Sequence, residues 1–479
     1  MEASTIDYVI IFTFLIGIVI IGSISGGKQK STTDYFLGSQ QVSWWAVCFS
    51  IVAAETSTLT FISIPGLAYL TNLNFLQVTF GYMIGRLIVA KYFLPAYYKG
   101  ELKTAYSYLE NRFGAKTRTF ASIVFIFTRT AADGVRLFAT AIPLYLILNI
   151  DPIIAIIIIA IISLIYTYTG GLRGIIKVDV ILMFLYLGSA ILAAVYLLNL
   201  LPDGWTSVVS ASSAENKFSI INFGIDDGIA GFFSDPYTLL GGIIGGAFLS
   251  MASHGTDQLI VQRLFATKNL RGAQKAIIGS GIIVILQFAI FLILGVMLYS
   301  YYGPLDIRSD EIFPKFIIEA LPPGITGIII AGLFAAAMST LAGSMSSLSS
   351  SAMMDIYSPF FGKSIDDKKK LSISRKLTIF WAILLTLSAM IFMGSSLAVV
   401  EIALSIASFT YGGLLGTFLL GLLFKRVKQI SALAGFAAGI VVMIFVIFLS
   451  NIGWTWYTII GVTVTMIVGL LISQFQSGE

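Results

Sequence analysis

Ala336, Ser339 and Thr340 stand at i, i+3 and i+4 in an apolar stretch that runs from Gly324 to Asp355. A helix puts the three on one face. Two hydroxyls beside a backbone carbonyl make an oxygen cluster suited to a hard monovalent cation. The later hydroxyls of the stretch (Ser344, Ser346, Ser347, Ser349, Ser350 and Ser351) are less specific, because small residues also serve close helix packing in a membrane. A second set lies at 51–66, where Glu55, Thr56, Ser57, Thr58, Thr60 and Ser63 precede Pro65-Gly66 inside one apolar run. Proline lacks an N–H and clashes with the carbonyl four residues back. The pattern predicts a helix interrupted around Glu55 to Thr58. An interrupted membrane helix offers carbonyls from one half and amides from the other, to a cation and a solute respectively. A kinked helix packed by small residues is the plainer alternative.

Ionisable residues inside apolar stretches are costly and are usually paired or functional. Here they are Glu55, Arg86, Arg129, Asp133, Arg136, Asp257 and Glu401, with Asp179 near a boundary. Asp133 lies four residues after Arg129 and three before Arg136, so both can reach it along one helix face. One arginine would satisfy it. The other, and Arg86, need a further anion: Glu55, Glu401 or the carboxylate of a solute, which a guanidinium fork suits well. The alternative is that all three arginines are internal partners or reach the membrane edge. His254 is the only histidine, and a lone helical histidine is more often a packing residue than a ligand.

The elements that must position these residues are membrane helices. The chain has 479 residues, 57% hydrophobic and 11% charged, with a mean hydropathy of +0.93. A soluble domain carries about 25% charge. The apolar runs are too long and too continuous for a β-barrel. Thirteen segments read as spans: 6–24, 42–70, 73–97, 116–147, 152–169, 174–200, 236–266, 272–302, 322–356, 371–393, 396–424, 428–449 and 454–474. The first has an acidic leader (Glu2, Asp7) and no basic residue before it, so it reads as a retained span rather than a secretory signal. With the N-terminus outside, 23 of the 29 Lys and Arg fall in cytoplasmic segments and three (Lys217, Arg308, Lys315) outside, as the positive-inside rule requires. This orientation places the C-terminus in the cytoplasm and accounts for the net charge of +5 with no nucleic-acid partner. Without the first span, spans two to six (42–200) and seven to eleven (236–424) form two groups of five. Five is odd, so the groups have opposite orientation, which is the arithmetic of an inverted repeat. The segment 428–474 trails. The whole chain, 1–479, is expected to be one membrane domain that works as a monomer.

Three places resemble the sodium:solute symporter family, which includes sodium–glucose, proline and sialic acid transporters. They are the ninth-span pattern (Pro323-Gly324 through Ala336, Met338-Ser339-Thr340 and Asp355), Tyr168-Thr169-Gly170-Gly171-Leu172 followed by Asp179, and Asp257-Gln258 with Val261-Gln262-Arg263. The resemblance covers nearly the whole chain. It implies an all-α, leucine-transporter-like fold with a leading extra helix and two trailing ones. It implies a sodium site formed by the carbonyls of Ala53, Thr56 and Ala336 with the hydroxyls of Ser339 and Thr340. Some members hold a second sodium at the position of Asp179 with two further hydroxyls; those two positions match Ala342 and Gly343, which have none. For the solute it implies a pocket between spans two, three, four, seven, eight and eleven. Thr60, Ser250 and Ser253 match it, and Gln287 and Glu401 are plausible from spans eight and eleven. Glu55, Arg86 and Arg136 complete the candidate solute set. Ser250 and Ser253 differ from the amide and aromatic side chains of the sugar-carrying members.

The expected activity is sodium-coupled import of a small polar solute (a carboxylate, sugar or polyol) across an inner or plasma membrane, in contact with lipid. A proton-coupled carrier with Glu55 or Asp179 titrating, and a membrane sensor that binds solute without moving it, are the alternatives. No enzyme is indicated: no nucleophile–base or metal-ligand set occurs, and the single cysteine, Cys48, excludes an internal disulfide.

Overall fold

The computed structural model describes residues 4–476 except 101, 149, 226–227, 363–364 and 394–398. The side chains of 146–147, 399–405 and 407, Glu401 among them, also lie outside the description. The described chain is helical, with one isolated β-bridge between Val42 and Thr267. In order it runs α1 (Thr5–Ser25), α2 (Trp44–Glu55), α3 (Thr58–Leu70), α4 (Leu76–Ile88), α5 (Ala115–Leu148) and α6 (Pro152–Leu200). It continues with α7 (Gly246–Gly255), α8 (Gln258–Phe265), α9 (Leu270–Tyr302), α10 (Ile325–Ser351) and α11 (Asp367–Ile391). The last three are α12 (Val399–Leu423), α13 (Gln429–Leu449) and α14 (Tyr457–Phe475). Among the described residues seven helices are long and apolar enough to cross a bilayer, or eight with α2 and α3 taken as one span bent by 65°.

α10 is the axis of the molecule. Nearly every residue from Thr326 to Ser351 is buried, against α6, α5, α1 and α11. The serines of its second half are engaged by neighbouring helices or by α10 itself. Ser351 pairs with Ser122 at 2.7 Å, Ser346 accepts from Gln262 at 3.1 Å, and Ser344 donates to Asp133.

The interruption at Glu55–Thr58 is present. The Thr56 amide closes the last turn of α2 on Val52 O at 3.0 Å. The backbone is then extended at Thr56 (ψ 104°) and Ser57 (ψ 172°) before α3 starts. Pro65 lies within α3, well past the break. The expected seventh span, 236–266, contains a second break, which the sequence did not signal. α7 stops at Gly255, the chain is extended at Asp257 (ψ 123°), and Asp257 caps α8 by accepting from the Leu259 amide at 2.8 Å. Each group of five expected spans therefore opens with a broken helix, and each break carries an acid.

Glycines set two of the close approaches. A Cβ on Gly81 would lie 2.5 Å from Gly242 O, and one on Gly246 would lie 2.6 Å from Val78 O. These glycines thus bring α4 into backbone contact with α7 and the turn just before it (241–245) within the molecule. α6 bends at Gly171, whose φ of 56° and ψ of −164° belong to a region open essentially to glycine alone. A Cβ there would also meet Tyr35 O at 2.8 Å. Gly171→Ala is expected to cost about 1–3 kcal/mol, read as a lower thermal midpoint in detergent; an unchanged midpoint would contradict this strain.

Candidate functional site

The last four carbonyls of a helix have no intrahelical partner, so the end of α2 presents oxygens at Ala53 to Thr56. α10 faces this end. Thr58 Oγ1 on α3 donates to Leu333 O at 3.5 Å. Ser57, Thr58, Ala337 and Thr340, with Asp133 and Arg136, line a cavity of about 10 Å3, roughly the room of one water; of the expected sodium ligands, Thr340 alone lines it. Ser339 Oγ donates to Asp179 Oδ1 at 2.6 Å, and Thr340 Oγ1 donates to Ala336 O at 3.2 Å. Both hydroxyl protons are thereby directed at fixed acceptors, and the oxygen lone pairs remain for a cation. Asp179 ties the two stretches together, since Ser50 Oγ, one turn before Ala53, donates to its other oxygen at 2.5 Å.

Asp179 also holds an arginine. Arg263 Nη2 lies 3.1 Å from its Oδ2, while Arg263 Nε donates to Ser50 Oγ (2.9 Å) and Nη1 to Leu259 O (2.8 Å). A Cβ on Gly343 would stand 2.7 Å from Nη2. The guanidinium fills the space beside the carboxylate that a side chain at 343 would otherwise share. Arg263 is itself buried.

Between the two helix breaks lies a cavity of about 220 Å3. Glu55, Thr60, Ser253 and Arg136 line it, as do Ser57, Tyr82, His254 and Tyr411, and it reaches Tyr237 and Ser309. Arg136 is anchored by one nitrogen, Nη1, on Asp133 Oδ1 at 2.9 Å. Its side chain is 21% exposed, and its remaining N–H groups have no partner among the described residues. Arg129 also reaches Asp133 (3.4 Å) and bridges to Asp257 (3.4 Å), whose carboxylate accepts from the Tyr411 hydroxyl at 2.7 Å. Asp133 thus serves both arginines.

Three of the expected solute residues do not reach the cavity. Arg86 is fully buried behind it, held by Glu55, by His254 Nε2 (2.9 Å) and by Ser280 (3.3 Å). Ser250 is turned into the contact between α7 and α4, where its hydroxyl donates to Tyr82 O at 2.9 Å. Gln287 braces the first break: its Nε2 donates to Thr56 Oγ1 at 2.6 Å and its Oε1 accepts from Tyr186 at 2.8 Å. Glu401 falls outside the described side chains. Ser57, Tyr82 and Tyr411 were missed. Ser57 was legible as a hydroxyl next to the interruption; the tyrosines carried no signal among 21 in the chain.

Residues 35–439 match the sequence model of the Sodium:solute symporter family. The chain is 30% identical to the sodium/sialic acid symporter NanT of Aliivibrio fischeri, over 98% of this chain and 94% of that one. It is 28% identical to the sodium/sialic acid symporter SiaT of Proteus mirabilis, over 97% and 94%. Its fold superposes on the substrate-bound outward-open state of a Na+-coupled sialic acid symporter with a TM-score of 0.89 and 27% identity, covering 98% of each chain. The protein belongs to the sodium:solute symporter family: it is a multi-pass membrane transporter that couples a small solute to sodium, and it is not an enzyme.

Proposed function

We propose that the solute is a small polar carboxylate, carried inward with one sodium ion by alternating access. The observation that carries this reading is Arg136, a guanidinium inside the membrane-embedded cavity with one nitrogen engaged and the others open. A carboxylate can take the open edge by two parallel hydrogen bonds. Sodium is held by the carbonyls of Ala53, Thr56 and Ala336 and the hydroxyls of Ser339 and Thr340, and Thr60 and Ser253 meet the solute from either side. The relatives named for sialic acid, itself an acid, support the assignment.

Charge explains the coupling. Among the described residues of this core, Arg86, Arg129, Arg136 and Arg263 are matched by Glu55, Asp133, Asp179 and Asp257. A lone sodium or a lone carboxylate leaves the site with an uncompensated buried charge, which is costly. Entering together, they cancel. For this pair the membrane voltage does no net work, and a tenfold sodium gradient supplies about 1.4 kcal/mol, enough for roughly tenfold accumulation.

The cavity reaches Ser309 and Tyr237, in or beside connectors that the charge count puts outside. The far side is shut. Gln262 Nε2 donates to Phe36 O (2.8 Å), the Ala105 amide donates to Gln258 Oε1 (2.8 Å), and Arg118 holds Asp355 (2.8 Å). This is an outward-facing arrangement with the N-terminus outside and the C-terminus in the cytoplasm, in the inner or plasma membrane. Residues 42–200 and 236–424 are the two repeats that rock around the site, α1 and 428–474 flank them, and one chain suffices. Asp179 is held by Arg263 and takes no second sodium in this scheme.

Arg136→Gln tests the assignment. Losing hydrogen bonds to a charged group costs roughly 10- to 150-fold in affinity, so sodium-driven uptake of N-acetylneuraminate and other acids into proteoliposomes is expected to fall by about that factor. The sodium-dependent rise in thermal midpoint should persist. Unchanged uptake would remove Arg136, and with it the carboxylate, from the proposal.

A further inference from the structure

The second polar edge of the cavity is an acceptor. Glu55 ends α2 with its side chain 18% exposed to the cavity. One oxygen, Oε2, is committed to Arg86, and His254 Nε2 stands 3.4 Å from it. The other, Oε1, carries no hydrogen bond among the described residues. His254 does not compete for it. Its Nε2 accepts from Arg86 at 2.9 Å, so the proton sits on Nδ1, which donates to Ser253 Oγ at 2.8 Å. Arg86 is fully buried and cannot swing out to offer donors of its own. The open group at this edge is therefore a carboxylate oxygen anchored from behind by an ion pair.

We infer that Glu55 is the residue that selects the solute's far end, and that the solute bears hydrogen-bond donors there: hydroxyl, amide N–H or ammonium groups on the same molecule as the carboxylate. This rests on the proposed carboxylate site at Arg136. That arginine presents only donors, Glu55 only an acceptor, and different helices hold them. A solute satisfying both is polarised, with an acceptor group at one end and donors at the other. Plain aliphatic acids would leave Glu55 Oε1 desolvated and unpaired. A site built around a solute hydroxyl rejects the analogue that lacks it because its own buried group is left unpaired, at roughly 10- to 150-fold where that group is charged. Hydroxylated or aminated acids are the class, and unsubstituted monocarboxylates are excluded.

Four probes of known chemistry test this in sodium buffer, by calorimetry on the purified full chain. N-acetylneuraminate and gluconate carry both features; hexanoate keeps the carboxylate without donors; glucitol keeps the hydroxyls without the carboxylate. At least one hydroxylated acid is expected to bind on the order of 100-fold more tightly than hexanoate. In Glu55→Gln/Arg86→Gln, where both members of the ion pair are neutralised together so that neither charge is left buried alone, that ratio should fall to within a few-fold of one. Retained sodium-dependent thermal stabilisation shows that the variant is folded. Ser253→Ala leaves the ion pair whole and should reduce the ratio only a few-fold. Hexanoate binding as tightly as both hydroxylated acids, failure of both to bind, or a ratio unchanged in the folded double variant would overturn the inference. Glucitol binding as tightly as gluconate is a different result: it would overturn the Arg136 carboxylate site and leave the Glu55 edge standing.

Discussion

Ser339→Ala/Thr340→Ala is expected to reach the membrane folded and to take up solute no faster in sodium than in potassium. A sodium ion entering the site exchanges water oxygens for protein oxygens, and the exchange balances only if every lost ligand is replaced. The carbonyls at the end of α2 and at Ala336 survive the substitution, but two of five proposed ligands do not. At about 1–1.5 kcal/mol each, sodium affinity should weaken by roughly 30- to 150-fold. The two hydroxyls have different supports, which separates a ligand role from a packing role. Thr340 donates only to Ala336 O in its own helix, so Thr340→Ser should keep sodium dependence and Thr340→Val, nearly the same shape, should lose it. Ser339 is pointed by Asp179, so Ser339→Ala also leaves Asp179 one donor short and should lower the midpoint slightly in sodium-free buffer. Two measurements check this: uptake against sodium concentration in proteoliposomes, and sodium-dependent thermal shift in detergent. Parent-like sodium dependence in the double variant would remove this face of α10 from the ion site.

The candidate ion face was more legible than the candidate solute pocket for a physical reason. Oxygens at i, i+3 and i+4 of an apolar helix identify a face without reference to the rest of the molecule, and a cluster of hydroxyls before a proline marks an interruption locally. Asp133 was legible for the same reason, its partners being three and four residues away. Arg86 and Glu55 are 31 residues apart, and no local rule joins them. The break at Asp257 has no proline, and its stabilising groups, Arg129 and Tyr411, lie far along the chain. Ser250 and Gln287 show the limit of helical periodicity. It says which residues share a face, but the packing partner decides whether that face meets the cavity. The tight glycine contact between α4 and the start of α7 turns Ser250 toward Tyr82. Loop counting has a similar limit. Lys217, counted as external, is buried with its ammonium donating to Tyr69 O at 2.7 Å, at the carbonyl end of α3, and over the Tyr299 ring. Burial pushes its pKa down, only partly opposed by Glu215.

Asp179 and Arg263 are expected to fail differently when replaced one at a time. Asp179→Asn leaves a guanidinium with 1% exposed surface and no counter-ion, and takes the carboxylate away from Ser50 and Ser339. Breaking a buried pair in this way costs about 3–5 kcal/mol, and no sodium ion can repair it, because the orphaned charge is positive. Arg263→Gln leaves the opposite orphan: a buried carboxylate beside two hydroxyls, in space the guanidinium has vacated. A sodium ion can repair that, and binding to the folded state stabilises it by RT ln(1 + [L]/Kd). Arg263→Gln should therefore be markedly unstable in choline chloride and recover more midpoint on adding sodium than the parent gains, with a steeper dependence on sodium concentration. Asp179→Asn should be unstable in both salts. Asp179→Asn/Arg263→Gln, with the charges removed together, should be closer to the parent than either single variant. The resemblance implied a second cation at Asp179; on this reading the position already holds one, supplied by the chain itself, and the second sodium appears only when the arginine is taken away. Equal sodium stabilisation of the parent and Arg263→Gln would show that the pocket beside Asp179 does not admit the ion.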